Sequence, residues 1–320
     1  MKSIKNKLTI ATYTEGYSVK YIDCMDIAYA GATGSYSEDN YYKYCFLQSV
    51  YSNWSSHRDH SNIARQVLGE IGLVENRIEV SNFSDLLDIL SDKLGESIPC
   101  ILLVRDRCCF YCEQYLEDHN ALHFILVSGI DTNKSIVEIR EYMHIRNSIA
   151  PLCHSDMLCP LNITFNMLKN IWEESNKTFY EHILITIEPI HRNVDSRKSV
   201  EILIDSISKN ENRLIGLIEQ YNMSSKEIKE MMEERTTYIG SLTVIFDEIE
   251  KENNLGNNTN FLHFKEEYTK HRDKTIAKLH ASKMRNKPLG EDVVSSLCNE
   301  VKKYDKLLLE WMRKISENTY

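Results

Sequence analysis

The stretch Leu122-His-Phe-Ile-Leu-Val-Ser-Gly-Ile-Asp131-Thr-Asn-Lys-Ser-Ile136-Val-Glu-Ile-Arg-Glu141-Tyr142 decides the fold of this chain. An apolar run opens with His123, the segment Gly129 to Ser135 turns the chain, and a second run alternates from Ile136 to Glu141. Two such runs around a polar turn predict a β-hairpin. Successive side chains of a strand point to opposite faces, so Val137, Ile139 and Glu141 share one face while Glu138 and Arg140 share the other. A hairpin that begins with a histidine and ends with a carboxylate can set imidazole against carboxylate. That pairing is the orienting half of a nucleophilic triad.

Working outward, 320 residues with 42% hydrophobic content can bury a sizeable core in one large or two modest domains. The formal net charge of -9 and the lack of a concentrated Lys/Arg surface argue against nucleic-acid binding. The first ten residues lack the apolar core of a secretory signal, and no apolar run is long enough to span a membrane. A cytoplasmic protein without a membrane partner is expected. In that reducing compartment the nine cysteines are expected to be thiols.

Upstream of the hairpin, residues 1–23 alternate apolar and polar and predict an extended segment and turn ending at Asp23-Cys24. The small residues Ala28, Ala30 and Ala32 suit a tightly packed helix from Cys24, which Gly31 and Gly34 are expected to interrupt. Ser37-Glu38-Asp39 opens a second helix, with carboxylates at the positive end of its dipole. Helical spacing recurs over 62–73 and 82–94, and a short buried strand, Cys100 to Val104, follows Pro99. Downstream, Pro151 and Pro160 bracket a predicted loop, Phe165 to Trp172 reads as a helix, and His182 to Glu188 reads as a strand. Beyond Asp195 strand signals vanish, and amphipathic helices are predicted over 199–221, 224–252, 260–287 and 291–316. The expected architecture is an α+β domain with an antiparallel sheet over 1–192, then an all-helical domain over 193–320.

Cys24 is the candidate nucleophile, because it sits where an extended segment turns into a helix and a helix N-terminus favours the thiolate. His123 would take its proton, and Glu141 would fix the imidazole tautomer. A small buried hydrophobe among alanines is the structural alternative for Cys24. Cys108, Cys109 and Cys112, with His119, His123, Cys153, His154 and Cys159, leave a zinc site open, although no second Cys-x-x-Cys stands at ribbon spacing. The aromatic clusters Tyr41, Tyr42, Tyr44 and Tyr51, and Phe110, Tyr111 and Tyr115, serve either as core packing or as the lining of a cleft for an aryl or extended acyl chain.

The order Asp23-Cys24 with small residues, Tyr36-Ser37-Glu38, the aromatic-rich 41–51, Pro99, Asp106, and His123 to Asp131 resembles the acyltransferase family of the butirosin pathway. That family is a branch of the papain-like cysteine-peptidase fold, and the likeness covers about the first 145 residues. It implies Cys24 as nucleophile, His123 as general base and acid, and Glu141 as orienting carboxylate. It also implies transfer of an acyl group from the 4′-phosphopantetheine thioester of a carrier protein to a small-molecule amine, in specialised-metabolite biosynthesis, with no resident cofactor or metal. Two positions depart from the family pattern. Glu141 stands where Asp is usual, with Asp131 as the fallback, and Ser18 stands where papain-like peptidases place the oxyanion-hole glutamine. The same triad would serve a hydrolase, and a module without activity that binds a carrier protein is the alternative from another class. Docking an acidic carrier would use basic residues such as Lys278, Lys283, Arg285 and Lys287.

Overall fold

The computed structural model describes residues 5–9, 24–54, 60–111, 115, 121–141, 159–176, 182–190, 198–220, 245–251, 253–285 and 289–318. The chain is α+β. One antiparallel sheet holds β1 (Lys5–Lys7), β2 (Leu73–Glu79), β3 (Cys100–Arg105), β4 (Leu122–Asp131), β5 (Ile136–Glu141), β6 (Cys159–Thr164) and β7 (Ile183–Pro189). Its order is β2-β7-β3-β4-β5-β6, with β1 pairing to Gly129–Asp131 of β4.

The hairpin sits at the centre of this sheet and differs from expectation at its turn. β4 does not end before Gly129 but continues to Asp131, because the register shifts between Val127 and Gly129 and leaves Ser128 as an extra residue. Such a bulge restores the alternation, so Val127 and Ile130 both stay buried. Ser128 Oγ donates to Glu138 Oε1 at 2.9 Å and accepts from Arg140 Nε at 3.3 Å, which ties the bulged residue to β5. Pro160, expected in a loop, lies within β6 opposite Arg140. β6 is an edge strand, where a proline is tolerated. The other edge, β2, carries the polar sequence Leu-Val-Glu-Asn-Arg-Ile-Glu, which has no clean alternation and went unread in the sequence.

The helices are α1 (Cys24–Gly34), α2 (Glu38–Asn53), α3 (His60–Glu70), α4 (Phe83–Gly95), α5 (Phe165–Asn176), α6 (Lys198–Lys209), α7 (Arg213–Gln220), α8 (residues 245–251), α9 (Thr259–Met284) and α10 (Glu291–Asn318). α1 runs through Gly31 without a break, and every residue after Cys24 in it is buried. Ser37 Oγ caps α2 by accepting the Asn40 N–H at 3.1 Å, and Asn82 Oδ1 caps α4 by accepting the Asp85 N–H at 3.0 Å.

The chain divides into two compact units, Met1–Cys45 with Ala64–Val194, and Phe46–Ile63 with Asp195–Tyr320. The break after Val194 differs by two residues from the expected 192, and residues 46–63 group with the helical unit instead of the first domain. Polar contacts internal to the second unit explain this grouping. Trp54 Nε1 donates to Asp305 Oδ2 at 3.0 Å and Arg272 Nη2 donates to Asn53 Oδ1 at 3.0 Å.

In the first unit α1 lies against the sheet face that carries Phe124 and Glu75. The Tyr29 ring meets Phe124 at 6.3 Å between centroids, and its hydroxyl donates to Glu75 Oε2 at 2.8 Å. α4 and α5 pack together on the opposite face, where Lys93 of α4 reaches Glu188 at 3.0 Å. In the second unit the described elements are helical, and Leu214, Ile218, Ile276, Leu279, Leu297 and Val301 join α7, α9 and α10 in one core. The predicted helix over 199–221 is two, α6 and α7, because Asn212 starts a new one by accepting the Leu214 N–H at 3.0 Å. Residues 224–244 of the next predicted helix lie outside the described residues. Among the described residues no helix is long and apolar enough to cross a membrane.

Candidate active site

β4 and β5 bring His123 and Glu141 together. Leu126 pairs with Arg140 and Val127 with Ile139, so the same register sets Glu141 across from Ile125, one diagonal step from His123 on the same face. His123 Nε2 lies 2.9 Å from Glu141 Oε2, and both side chains are largely buried, at 12% and 5% exposure. A carboxylate accepts, so the contact sets an Nε2 proton against Glu141, and Nδ1 is the ring nitrogen turned away from that carboxylate.

Cys24 opens α1, as the sequence predicts for the candidate nucleophile, and is partly exposed. Its Sγ donates to the Leu122 carbonyl oxygen at 3.8 Å, so the thiol sits beside the start of β4, one residue from His123. Alternation assigns Leu122 and Phe124 to the α1 face and His123 to the other. The thiol's hydrogen bond therefore goes to the strand backbone and not to the imidazole. The structure joins two members of the expected triad and stations the third at the edge of the strand that carries the histidine.

Asp131, the fallback orienting carboxylate, is placed elsewhere. It closes the far end of β4, and its Oδ1 accepts the Lys134 N–H at 3.2 Å within the hairpin turn. Eight strand positions separate it from His123, a span of about 26 Å. Ser18 lies outside the described residues, as do Cys112, His119, Cys153 and His154. Cys109 is buried, and its thiol donates to the Arg105 carbonyl oxygen at 3.5 Å. Among the described residues no three His, Cys, Asp or Glu side chains cluster in a way that could hold a metal.

The two aromatic clusters part company. Tyr41, Tyr42, Tyr44 and Tyr51 are all buried, which makes them core. Phe110 and Tyr115 are exposed, and Phe110 packs edge-on against Tyr111 at 5.2 Å. Of the basic residues considered for carrier docking, Lys278 and Arg285 are exposed, while the Lys283 side chain and Lys287 lie outside the described residues.

The α1 face of the sheet carries several buried charged contacts. On the α1 face Glu138 meets Lys7 at 2.7 Å and Arg140 at 3.2 Å. Burial pushes the Glu138 carboxyl up, but bonds from Lys7 and Ser128 and the charge of Arg140 outweigh it and hold the group below its ordinary value. On the same face burial, and then the Glu75 carboxylate, raise the Tyr29 phenol far above its usual range, which keeps it a donor to Glu75. Two features escaped the sequence reading. Glu75 belongs to the unread strand β2, and the Leu122 carbonyl, as backbone, carries no residue-type signal.

The chain matches no protein-family model and no curated protein.

Proposed function

We propose that the chain is a cysteine-dependent acyltransferase of papain-like architecture, cytoplasmic, joining a carrier-protein-bound acyl thioester to an amine in specialised-metabolite biosynthesis. The observation that carries this reading is the 2.9 Å bond between His123 and Glu141, with Cys24 opening α1 one residue away along β4. Among such reactions, the amide formation of closthioamide biosynthesis is the specific one proposed for testing.

In the first half-reaction the Cys24 thiol gives its proton to the His123 imidazole, a step that requires the thiol to leave the Leu122 carbonyl and the start of β4 to shift, because the imidazole points to the face of the sheet opposite α1. The thiolate attacks the thioester carbon, the carbon–sulfur bond to 4′-phosphopantetheine breaks, and the departing sulfur takes the proton from the imidazolium. In the second half-reaction an amine attacks the acyl-enzyme, gives its proton to Nδ1, and Cys24 leaves as the thiol with that proton. Thioester exchange is nearly neutral and amide formation runs downhill, so ATP is not needed. The first-turn N–H groups of α1 favour negative charge beside Cys24.

The test is intact-protein mass spectrometry after incubation with acyl thioesters, comparing wild type with Cys24→Ala. A mass gain absent in Cys24→Ala and discharged by amines supports the transferase. Discharge by water alone supports a hydrolase on the same residues. A second reading, an inactive module that binds a carrier protein, draws on the thiol's bond to the Leu122 carbonyl in place of the imidazole. It predicts no adduct with any thioester.

A further inference from the structure

Arg105 closes β3 directly opposite Leu122 of β4, the residue whose carbonyl oxygen holds the Cys24 thiol at 3.8 Å. Residues opposite each other on neighbouring strands point to the same face, with Cβ atoms about 5 Å apart, and long side chains reach further still. That face is the α1 face, because Leu103 stands opposite Phe124, and Phe124 meets Tyr29 of α1. A guanidinium therefore rises beside the residue that holds the sulfur, on the side from which Cys24 opens α1. Its backbone is fixed from both directions. The Arg105 N–H donates to Ser175 Oγ of α5 at 3.0 Å, and its carbonyl oxygen accepts the Cys109 thiol at 3.5 Å. The residue is half-buried, and burial draws the guanidinium down from its ordinary value, with Asp106 and then Cys108 opposing that shift. Arg77 and Arg140 share the face, but Glu75 takes the first at 2.5 Å and Glu138 the second at 3.2 Å. Arg105 is the arginine that strand register sets beside Cys24. A charge partly withdrawn from water acts more strongly on its neighbours, and the guanidinium fork suits an oxygen anion.

We infer that Arg105 is a further catalytic residue, the hydrogen-bond donor to the oxyanion that forms when the Cys24 sulfur adds to an acyl thioester. The inference rests on the acyltransferase reading. As the sulfur bonds to the carbonyl carbon, the π pair of the C=O moves onto oxygen, and an Arg105 N–H donates to that oxygen beside the first-turn N–H groups of α1. When the pair returns, the bond from carbon to the donor's sulfur breaks. That sulfur leaves with its electrons and takes the proton from the His123 imidazolium. Arg105 neither gains nor loses a proton.

The test compares two reactions of Cys24 in the full chain. Acylation by the acetyl thioester of N-acetylcysteamine passes through an oxyanion, whereas alkylation by iodoacetamide displaces iodide directly and forms none. Peptide mass spectrometry reads both at Cys24 at one pH, so a change in the thiolate population alters both rates alike and cancels in their ratio. Arg105→Met is expected to lower the ratio of acylation to alkylation about 100-fold, the effect of losing one oxyanion donor. Arg105→Lys keeps a charge but loses the fork, and is expected to lower it about tenfold. Melting curves report folding, and Arg105→Gln, also uncharged, takes the place of the Met variant if that one does not fold. A ratio within about threefold of wild type in a folded, uncharged variant overturns the assignment of Arg105 and leaves the acyltransferase standing. A wild-type Cys24 that alkylates but takes no acyl group overturns both.

Discussion

Glu141 Oε2 lies 2.9 Å from His123 Nε2, across a hairpin that separates the two residues by 18 positions. Removing the carboxylate tests whether the pair serves the thiol or only fills the sheet. Glu141→Gln keeps an acceptor for Nε2–H but loses the charge that stabilises an imidazolium. It is expected to slow Cys24 acylation roughly 10- to 100-fold, with Glu141→Ala slower still by about another order. The rate of thiol release from an acyl thioester is the measurement, with circular dichroism confirming the fold. Unchanged rates in both variants would assign the pair to structure.

Thiol labelling should rank the cysteines by burial. Burial pushes the Cys100 thiol up to about 12, and burial with Glu219 nearby raises Cys298. Cys24 and Cys108 are partly exposed. With iodoacetamide at pH 7.5, Cys24 and Cys108 are expected to label first, and Cys100 and Cys298 only after denaturant is added. Native labelling of Cys100 as fast as Cys24 would contradict the packing of β3.

The exposed cations Lys278 and Arg285 lie on and just past the end of α9. If an acidic carrier docks there, the double change Lys278→Glu with Arg285→Glu is expected to cut kcat/KM for a carrier-bound donor about tenfold, with a flatter salt dependence. The same variant should treat an N-acetylcysteamine donor as wild type does. An equal effect on both donors would place docking elsewhere.

The hairpin was legible because its two strands are local, and because a period of two assigns every side chain of β5 to a face. The same rule predicts that Glu141 can reach His123. It failed at Ser128, since a bulge is a one-residue change of phase that polar and small residues allow but do not announce. It failed again at β2 and β6, edge strands whose polar or proline-bearing sequences are set by having one partner instead of two. The grouping of residues 46–63 with the helical unit rests on Trp54 meeting Asp305 across 251 positions, and no periodicity carries that. The position of Cys24 at the head of a helix was readable. The choice of its sulfur for the Leu122 carbonyl was not, because backbone atoms are the same at every residue.

On the α1 face, Glu138 offers a stability test tied to pH. Its native value is depressed, so the stabilisation it supplies is present above the unfolded value and is lost as pH falls through the native one. Glu138→Gln should cost about 1 kcal/mol at neutral pH, and the gap to wild type should close in acid. Urea midpoints at pH 7 and pH 3 measure this. A gap that stays constant would mean that Lys7 and Arg140 contribute nothing through charge.

Asp305 makes the opposite prediction in the helical unit. Trp54 Nε1, Asn212 Nδ2 and the Tyr268 hydroxyl all donate to its carboxylate, at 3.0, 3.1 and 2.6 Å. Burial nevertheless raises its carboxyl above the ordinary value, although those three donors and Arg272 pull the other way. A raised acid stabilises fully below the unfolded value, and that contribution is lost as pH rises through the native one. Cutting the side chain away has a larger effect, because three buried donors lose their acceptor together. Asp305→Ala is expected to destabilise the helical unit by about 3–5 kcal/mol at pH 7. Asp305→Asn should cost less, since its amide oxygen still accepts while its NH2 faces one of the donors. Thermal unfolding followed by circular dichroism, with the fluorescence of Trp54 and Trp311 reporting the helical unit, distinguishes the variants. An Asp305→Ala melting point within a degree or two of wild type would show that water replaces the carboxylate and that the network is not what holds residues 46–63 to α10.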